Sequence, residues 1–196
     1  MVPEIQLSLA TEVVPLWRKT EEEMKAQGIP PPYWAFAWAG GQALARYVLD
    51  HPQEVADRSV LDFGSGSGLV AIAAAKAGAA PVRAADVDTF AVEAIQMNAD
   101  ANGVAIDICS DDLIGSQVAL DIILLGDMCY ERPLAARLLV WLTEHARNGT
   151  CVLLGDPGRS YFPKSGVHKL ATYRVQTTLE LEDRDIRETS VYRFER

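Results

Sequence analysis

Basic clusters are missing from this sequence: no block of Lys and Arg occurs anywhere in its 196 residues, and the formal net charge is −9. Nucleic-acid and anionic-membrane surfaces need such clusters, so neither kind of partner is expected. An acidic surface suits a basic partner and also favours solubility. Cysteine is scarce as well, at Cys109, Cys129 and Cys151 only, an odd number without a disulfide spacing. Buried thiols in a reducing compartment follow. His51, His145 and His168 are scattered without zinc-ligand spacing, so no metal is expected. No apolar run reaches membrane-spanning length. The start, "MVPEIQLSLATEVVPLW", lacks a charged region followed by an apolar block, and Glu4 and Glu12 do not suit a transit peptide. A soluble, cytoplasmic protein is the expectation.

Repeats, low-complexity tracts and linkers are also absent, which leaves a single domain over residues 1–196. At 49% hydrophobic and 23% charged residues, the composition is that of an ordinary globular chain. "RKTEEEMKAQG" reads as a polar helix or turn, with Glu21 to Glu23 solvated. "IPPPYWAFAWAGGQALARYVLDHP" is a proline-stiffened aromatic segment leading into a helix from about Gly41 to Leu49. From there strand and helix patterns alternate. "SVLDFG" is a buried strand, Leu69 to Ala77 a helix, "VRAADVD" a strand, and Thr89 to Asn102 a helix with Thr89 as its cap. "AIDICSDD" and "ALDIILLGD" are the third and fourth strands. Pro133 to Arg147 is a helix with Leu134, Leu138 and Leu142 on one face, and "TCVLLGDP" is the fifth strand. "TYRVQTTLEL" and "ETSVYRFE" then alternate in hairpin fashion around "EDRDIR". Continuous apolar strands joined by helices mean a parallel sheet covered on both faces. The fold class is therefore α/β, a doubly wound Rossmann-like sandwich over residues 58–196 with an antiparallel C-terminal hairpin. Residues 1–50 form a helical and aromatic N-terminal flap.

"VLDFGSGSGL" is strand, then Gly64, Ser65, Gly66 and Gly68, then helix. Such glycines let a ligand approach the backbone, and the helix start favours negative charge. A dinucleotide site spaces its glycines as G-x-G-x-x-G, whereas Leu69 stands where the third would fall. Asp62, at the strand end, would repel a pyrophosphate but could receive an ammonium group. Asp86, followed by Val87, ends the second strand where a carboxylate binds ribose hydroxyls. Asp111 and Asp112 end the third strand at the same sheet edge, within reach of an adenine amino group. A ribose, an adenine and an amino acid together describe S-adenosylmethionine. Each aspartate alone could equally be a helix cap or turn residue.

"VLDFGSGSGLVAIAAAKAGA" and "AADVDTFAVEAIQMNADANGV" resemble the class I, seven-strand methyltransferases. More narrowly, "PPYWAFAWAGGQALARYVLDHP", "GDMCYE" and "GDPGR" resemble the lysine methyltransferases of the electron-transfer-flavoprotein β-subunit and their bacterial relatives. The resemblance runs from about Val13 onward. The Asn-rich fourth motif of ribosomal-protein lysine methyltransferases and the N-P-P-Y of amide and adenine-amine methyltransferases are both absent. The resemblance implies S-adenosylmethionine as cofactor, a lysine on a protein substrate, and Asp127 to Tyr130 as a D-x-x-Y signature.

Methyl transfer from a sulfonium depends chiefly on positioning and on control of charge. A lysine of pKa ~10.4 must first lose its proton, at a cost of about 4.6 kcal/mol at pH 7. Asp127 is expected to hold and aim the ammonium, with Tyr130 and Glu131 beside it as catalytic candidates. Trp34, Trp38 and Tyr130 wall the channel, and Trp38 and Asp127 also border the cofactor. Glu131 could instead serve only the following helix, Trp34 and Trp38 could be core of the flap, and Met128 and Cys129 pack or line the methionine part of the cofactor. A small-molecule methyltransferase and a non-catalytic cofactor-binding module are the competing classes. A monomer is expected.

Overall fold

A computed structural model of the chain describes residues 1–9, 31–177, 182 and 184–195. The polar segment 18–28 and Glu21 to Glu23 lie outside these residues. Seven strands form one sheet: β1 (Val60–Phe63), β2 (Val82–Ala85), β3 (Asp107–Cys109), β4 (Ile122–Gly126), β5 (Cys151–Asp156), β6 (Val167–Gln176) and β7 (Ile186–Phe194). Their order is β3-β2-β1-β4-β5-β7-β6. The first five are parallel, and β7 lies antiparallel between β5 and β6. The doubly wound sandwich with a closing hairpin is the observed architecture.

Among the described residues four α-helices cover the sheet: α1 (Ala39–Asp50), α2 (Leu69–Lys76), α3 (Thr89–Asn102) and α4 (Arg132–Arg147). Strand side chains alternate between the two faces, and both faces are apolar. Val60, Val82, Ile122, Leu124 and Leu153 join Leu44, Val48, Ile72 and Ile95 in the core under α1, α2 and α3. Leu61, Phe63, Ile123, Leu125 and Leu154 face the other way, onto Leu138, Trp141 and Leu142 of α4. This register leaves the strand ends as the only places where β1 and β4 can present polar groups.

Three expectations change. The segment 1–50 is not a flap throughout, because Ala39, Ala43, Leu44, Ala45 and Val48 of α1 are wholly buried in the main core. Its small residues let α1 lie directly on the sheet as a layer of the sandwich. The third strand is shorter than its apolar pattern: only Asp107–Cys109 pairs with β2, at the sheet edge. The cap of α3 is Asp88 rather than Thr89, since the Asp88 side chain accepts a hydrogen bond from the Phe90 amide at 2.9 Å. The first residues are also held down. Asn98 Oδ1 accepts from the Ser8 amide at 2.7 Å, and Asn102 Oδ1 accepts from the Gln6 amide at 3.0 Å.

Candidate active site

The turn after β1 is pinned by two carboxylates. Asp62 is 1% exposed, and its Oδ2 accepts from Ser65 Oγ at 2.5 Å and from the Ala71 amide at 2.9 Å. Asp86 Oδ2 accepts from the Gly66 amide at 2.8 Å, and its Oδ1 accepts from the Asp88 amide at 3.0 Å. Gly64, Gly66 and Gly68 take φ of 66°, 56° and 83°, the left-handed region that only glycine enters without strain. Burial pushes the Asp62 carboxyl up to about 7, and Asp86 is also raised by burial. Neither carboxylate is ion-paired among the described residues. A loop with free negative charge and close backbone approach fits a cationic amino-acid ligand bearing a ribose, and does not fit a pyrophosphate. S-adenosylmethionine is such a ligand, and Asp62, Gly64, Ser65, Gly66, Gly68 and Asp86 are the residues that would hold it.

The sign of the Asp62 shift gives a test. A carboxyl raised above its unfolded value contributes stability that is fully present below the unfolded pKa and is lost as pH rises through about 7. Asp62→Asn keeps an acceptor for Ser65 and Ala71 without the charge. It is expected to stabilise the cofactor-free protein by on the order of 2 kcal/mol at pH 8, with no gain at pH 4, while weakening cofactor binding. Thermal melts at the two pH values, beside calorimetric titration with the cofactor, decide it; a variant that melts lower at pH 8 contradicts the assignment.

An aromatic cover lies over the loop. Trp34, in the 3-10 turn Tyr33–Ala35, stacks on Phe90 at 6.2 Å, and its Cα stands 3.7 Å from where a Cβ on Gly66 would lie. Val87 and Phe90 are both exposed at this edge. The two aspartates beyond β3 separate in role. Asp112 pairs with Arg137 at 2.8 Å and caps the Ile114 amide at 3.1 Å, so its carboxylate is engaged in the fold, whereas Asp111 stays exposed beside Cys109.

At the tip of β4, Asp127 is 8% exposed and takes a φ of 59°, strained for a residue with a side chain. Its amide donates to Gly155 O at 2.9 Å, which locks the turn onto β5. The carboxylate, expected to hold a lysine ammonium, is already engaged by groups of the chain itself. Arg159 donates to its Oδ1 from Nε at 2.9 Å and from Nη2 at 2.6 Å, and the Gly41 amide donates to Oδ2 at 3.1 Å. Arg159 Nη2 also donates to Glu182 at 2.8 Å, and Arg187 Nε donates to the second Glu182 oxygen at 3.2 Å. Asp156 Oδ1 accepts from the Gly158 and Arg159 amides at 2.6 and 2.7 Å, shaping the "GDPGR" turn that delivers Arg159. Burial lifts the Asp127 carboxyl to about 6 although Arg159 pulls the other way.

Aromatics enclose this cluster too. The Arg159 guanidinium lies 5.7 Å from the Trp38 ring centre, and Trp38 Nε1 donates to Tyr33 O at 2.8 Å. Tyr33 meets Tyr130 at 5.4 Å, and burial pushes the Tyr130 hydroxyl up to about 12. Cys129 is buried, with its thiol likewise pushed to about 12. Met128 packs on the glycine turn, its sulfur against the position that a Cβ on Gly64 would take. Glu131 is exposed at the cap position of α4 but makes no capping hydrogen bond. A cavity of about 240 Å³ opens beside Tyr130, lined further by Pro157, Gly158, Arg159, Ser160 and Arg187. Asp127 does not line it. Arg159, Glu182, Arg187 and Phe90 carry no role in the sequence reading; the unassigned arginine of "GDPGR" was the available signal for the first.

Among the described residues no cluster of His, Cys, Asp and Glu could hold a metal, and no helix is long and apolar enough to cross a membrane. Comparison with known proteins places this geometry. The family model of ribosomal protein L11 methyltransferases matches residues 42–126. The electron transfer flavoprotein beta subunit lysine methyltransferase of Danio rerio is 41% identical over 99% of this chain and 77% of its own. That of Homo sapiens is 37% identical over 100% of this chain and 76% of its own. Among solved structures, the magnesium protoporphyrin IX methyltransferase of Synechocystis with bound S-adenosylmethionine has a TM-score of 0.59 at 20% identity, covering 80% of this chain and 79% of its own. A ribosomal protein L11 methylase of Lactobacillus delbrueckii has a TM-score of 0.56 at 21% identity, with 79% of each chain covered. These two share the fold. The near-full-length relatives settle the rest: the chain belongs to the electron transfer flavoprotein beta subunit lysine methyltransferases, as an S-adenosylmethionine-dependent protein-lysine N-methyltransferase.

Proposed function

We propose that this methyltransferase acts on a lysine of the electron transfer flavoprotein β-subunit. The observation that carries the proposal is the identity of 41% with an enzyme of that name over almost the whole chain, including the half that bears the acceptor cavity. Matches to ribosomal protein L11 methyltransferases reach lower coverage, 51% of this chain for that of Dechloromonas aromatica.

The cofactor supplies an activated methyl group on a sulfonium. The chain's own residues divide the remaining work. Asp62 receives the ammonium of the cofactor's amino-acid part, and the Gly64–Gly68 turn with Ser65 lets it approach the backbone. Asp86 takes ribose hydroxyls on oxygens already oriented by amides, with Val87 and Asp111 beside the base. Asp112, tied to Arg137, shapes that end of the site from behind. On the acceptor side, Tyr130 lines the cavity, Trp38 packs against Arg159 rather than lining it, and Asp127 fixes Arg159. Glu131, exposed at the start of α4 and without a capping hydrogen bond, is free to meet the substrate. The enzyme works as a cytoplasmic monomer that needs neither nucleic acid nor membrane, and its net charge of −9 favours a basic docking surface around the target lysine.

Incubation of the enzyme and S-adenosylmethionine with purified electron transfer flavoprotein, followed by peptide mass spectrometry, tests this. Methyl groups on β-subunit lysines are the expected product. Methylation confined to another protein of a whole-cell extract, or to arginine or glutamine, sinks the substrate assignment. The rate should also fall as salt rises, because exposed charges are screened beyond ~10 Å at 0.1 M.

A further inference from the structure

Among the described residues, the groups that line the cavity beside Tyr130 include two cations and no carboxylate. Arg159 and Arg187 line it, whereas Asp127, Asp156 and Glu182 are each at most 8% exposed and lie behind them. Charges nearest a group set its protonation most strongly, since interaction energy falls with distance. From this arrangement we infer that Arg159, supported by Arg187, is a charge-setting residue that brings the target lysine to the methyl group as a neutral amine. The inference rests on the lysine-methylation reading and adds to it how the proton is lost.

A carboxylate beside an amine raises its pKa, and a neighbouring cation lowers it. Bare, Asp127 would hold a lysine in its unreactive form. Arg159 covers that carboxylate with two hydrogen bonds and stands between it and the cavity. The ammonium therefore sheds its proton to water on entering. In the transfer itself the nitrogen lone pair forms the new N–C bond as the S–C bond breaks, and its electron pair goes to sulfur. Positive charge passes from sulfur to nitrogen. The buried cluster is suited to that moment, because Asp127, Asp156 and Glu182 outnumber Arg159 and Arg187 by one charge. Of the other titratable groups around Asp127 and the cavity, burial pushes the Cys129 thiol and the Tyr130 hydroxyl up to about 12, and Tyr33, Glu131 and Asp86 act on Tyr130 in the same direction.

The experiment is the pH dependence of single-turnover methylation of electron transfer flavoprotein by wild type, Arg159→Gln, Arg159→Lys and Arg187→Gln. Arg159→Gln should move the midpoint of the profile about one unit alkaline, a tenfold slower reaction at fixed pH on the rising limb. Arg159→Lys should restore the midpoint even if its amplitude is lower, and Arg187→Gln should move it the same way by less. As a readout free of cofactor, the Asp127 carboxyl, followed by NMR in protein labelled at aspartate, should titrate higher in Arg159→Gln than in wild type. Midpoints that stay fixed, or move acid, in Arg159→Gln and Arg187→Gln overturn the inference while leaving the methylation reading intact. A wild type that methylates no lysine overturns both.

Discussion

Replacing Asp127 by Asn is expected to slow methyl transfer up to roughly tenfold without lowering the melting temperature. The loss comes from Arg159. Its two hydrogen bonds to Asp127 Oδ1 become bonds to a neutral amide, and the excess of a charge-assisted bond over a neutral one is about 1–1.5 kcal/mol, or up to roughly tenfold in rate. The guanidinium then swings toward Glu182, and the cavity loses its fixed cation. Stability should behave differently. A carboxyl raised to about 6 is one that the fold holds more comfortably neutral than charged, so its contribution is greatest below the unfolded pKa and is lost as pH rises through about 6. Asn imitates the neutral form. Single-turnover rates, cofactor titration and thermal melts at pH 8 separate the two effects. A variant that melts far lower, or that loses cofactor binding along with activity, would make Asp127 a structural residue.

The second large effect belongs to Gly40. A Cβ there would collide with Gly155 O and would lie 2.5 Å from Asp127 Oδ2, both rigidly held. Neither can yield, because Gly155 O accepts the Asp127 amide and Asp127 is clamped by Arg159. Gly40→Ala should therefore cost about 3 kcal/mol, the upper part of the usual overpacking range, and lower the melting temperature by roughly 6–12 °C. The neighbouring residue supplies the contrast. Among the described residues a Cβ on Gly41 would meet only Val70, at 3.9 Å, within an ordinary helix. Gly41→Ala should be neutral or stabilise by up to about 1 kcal/mol. Equal melting temperatures for the two variants would mean that α1 does not rest on the strand tips by backbone contact.

The sequence disclosed what local rules control. Continuous apolar runs marked β1, β4 and β5 as buried strands, and the ends of the first two strands placed Asp62 and Asp86 at one edge. Where two signals compete at adjacent positions, the reading slipped. Asp88 and Thr89 are both good caps, and only the backbone path decides that Asp88 is the one outside the helix. Arg159 was hidden for another reason. Its meaning comes from partners 32 and 23 residues away, and no periodicity connects Asp127, Arg159 and Glu182. The aspartates after β3 looked alike in sequence, but Arg137 of α4 reaches one of them and not the other. The role of "GG" at Gly40 and Gly41 was invisible too, since close approach of α1 to two strand tips is a property of the assembled sheet.

The strand order has a consequence for how such a protein can change. Chain direction across the sheet reverses between β1 and β4, and the crevice where ligands of open sheets bind lies there. Asp62 and the glycine turn stand on one bank, Asp127 on the other. The family model of ribosomal protein L11 methyltransferases matches residues 42–126, ending at the last residue of β4, one position before Asp127. The two banks of the crevice are thus built by different stretches of chain, β1 with its glycine turn on one side and the segment after Gly126 on the other. Changes in the segment after Gly126 can therefore remodel the bank that carries Asp127 while Asp62, Asp86 and the glycine turn keep their places.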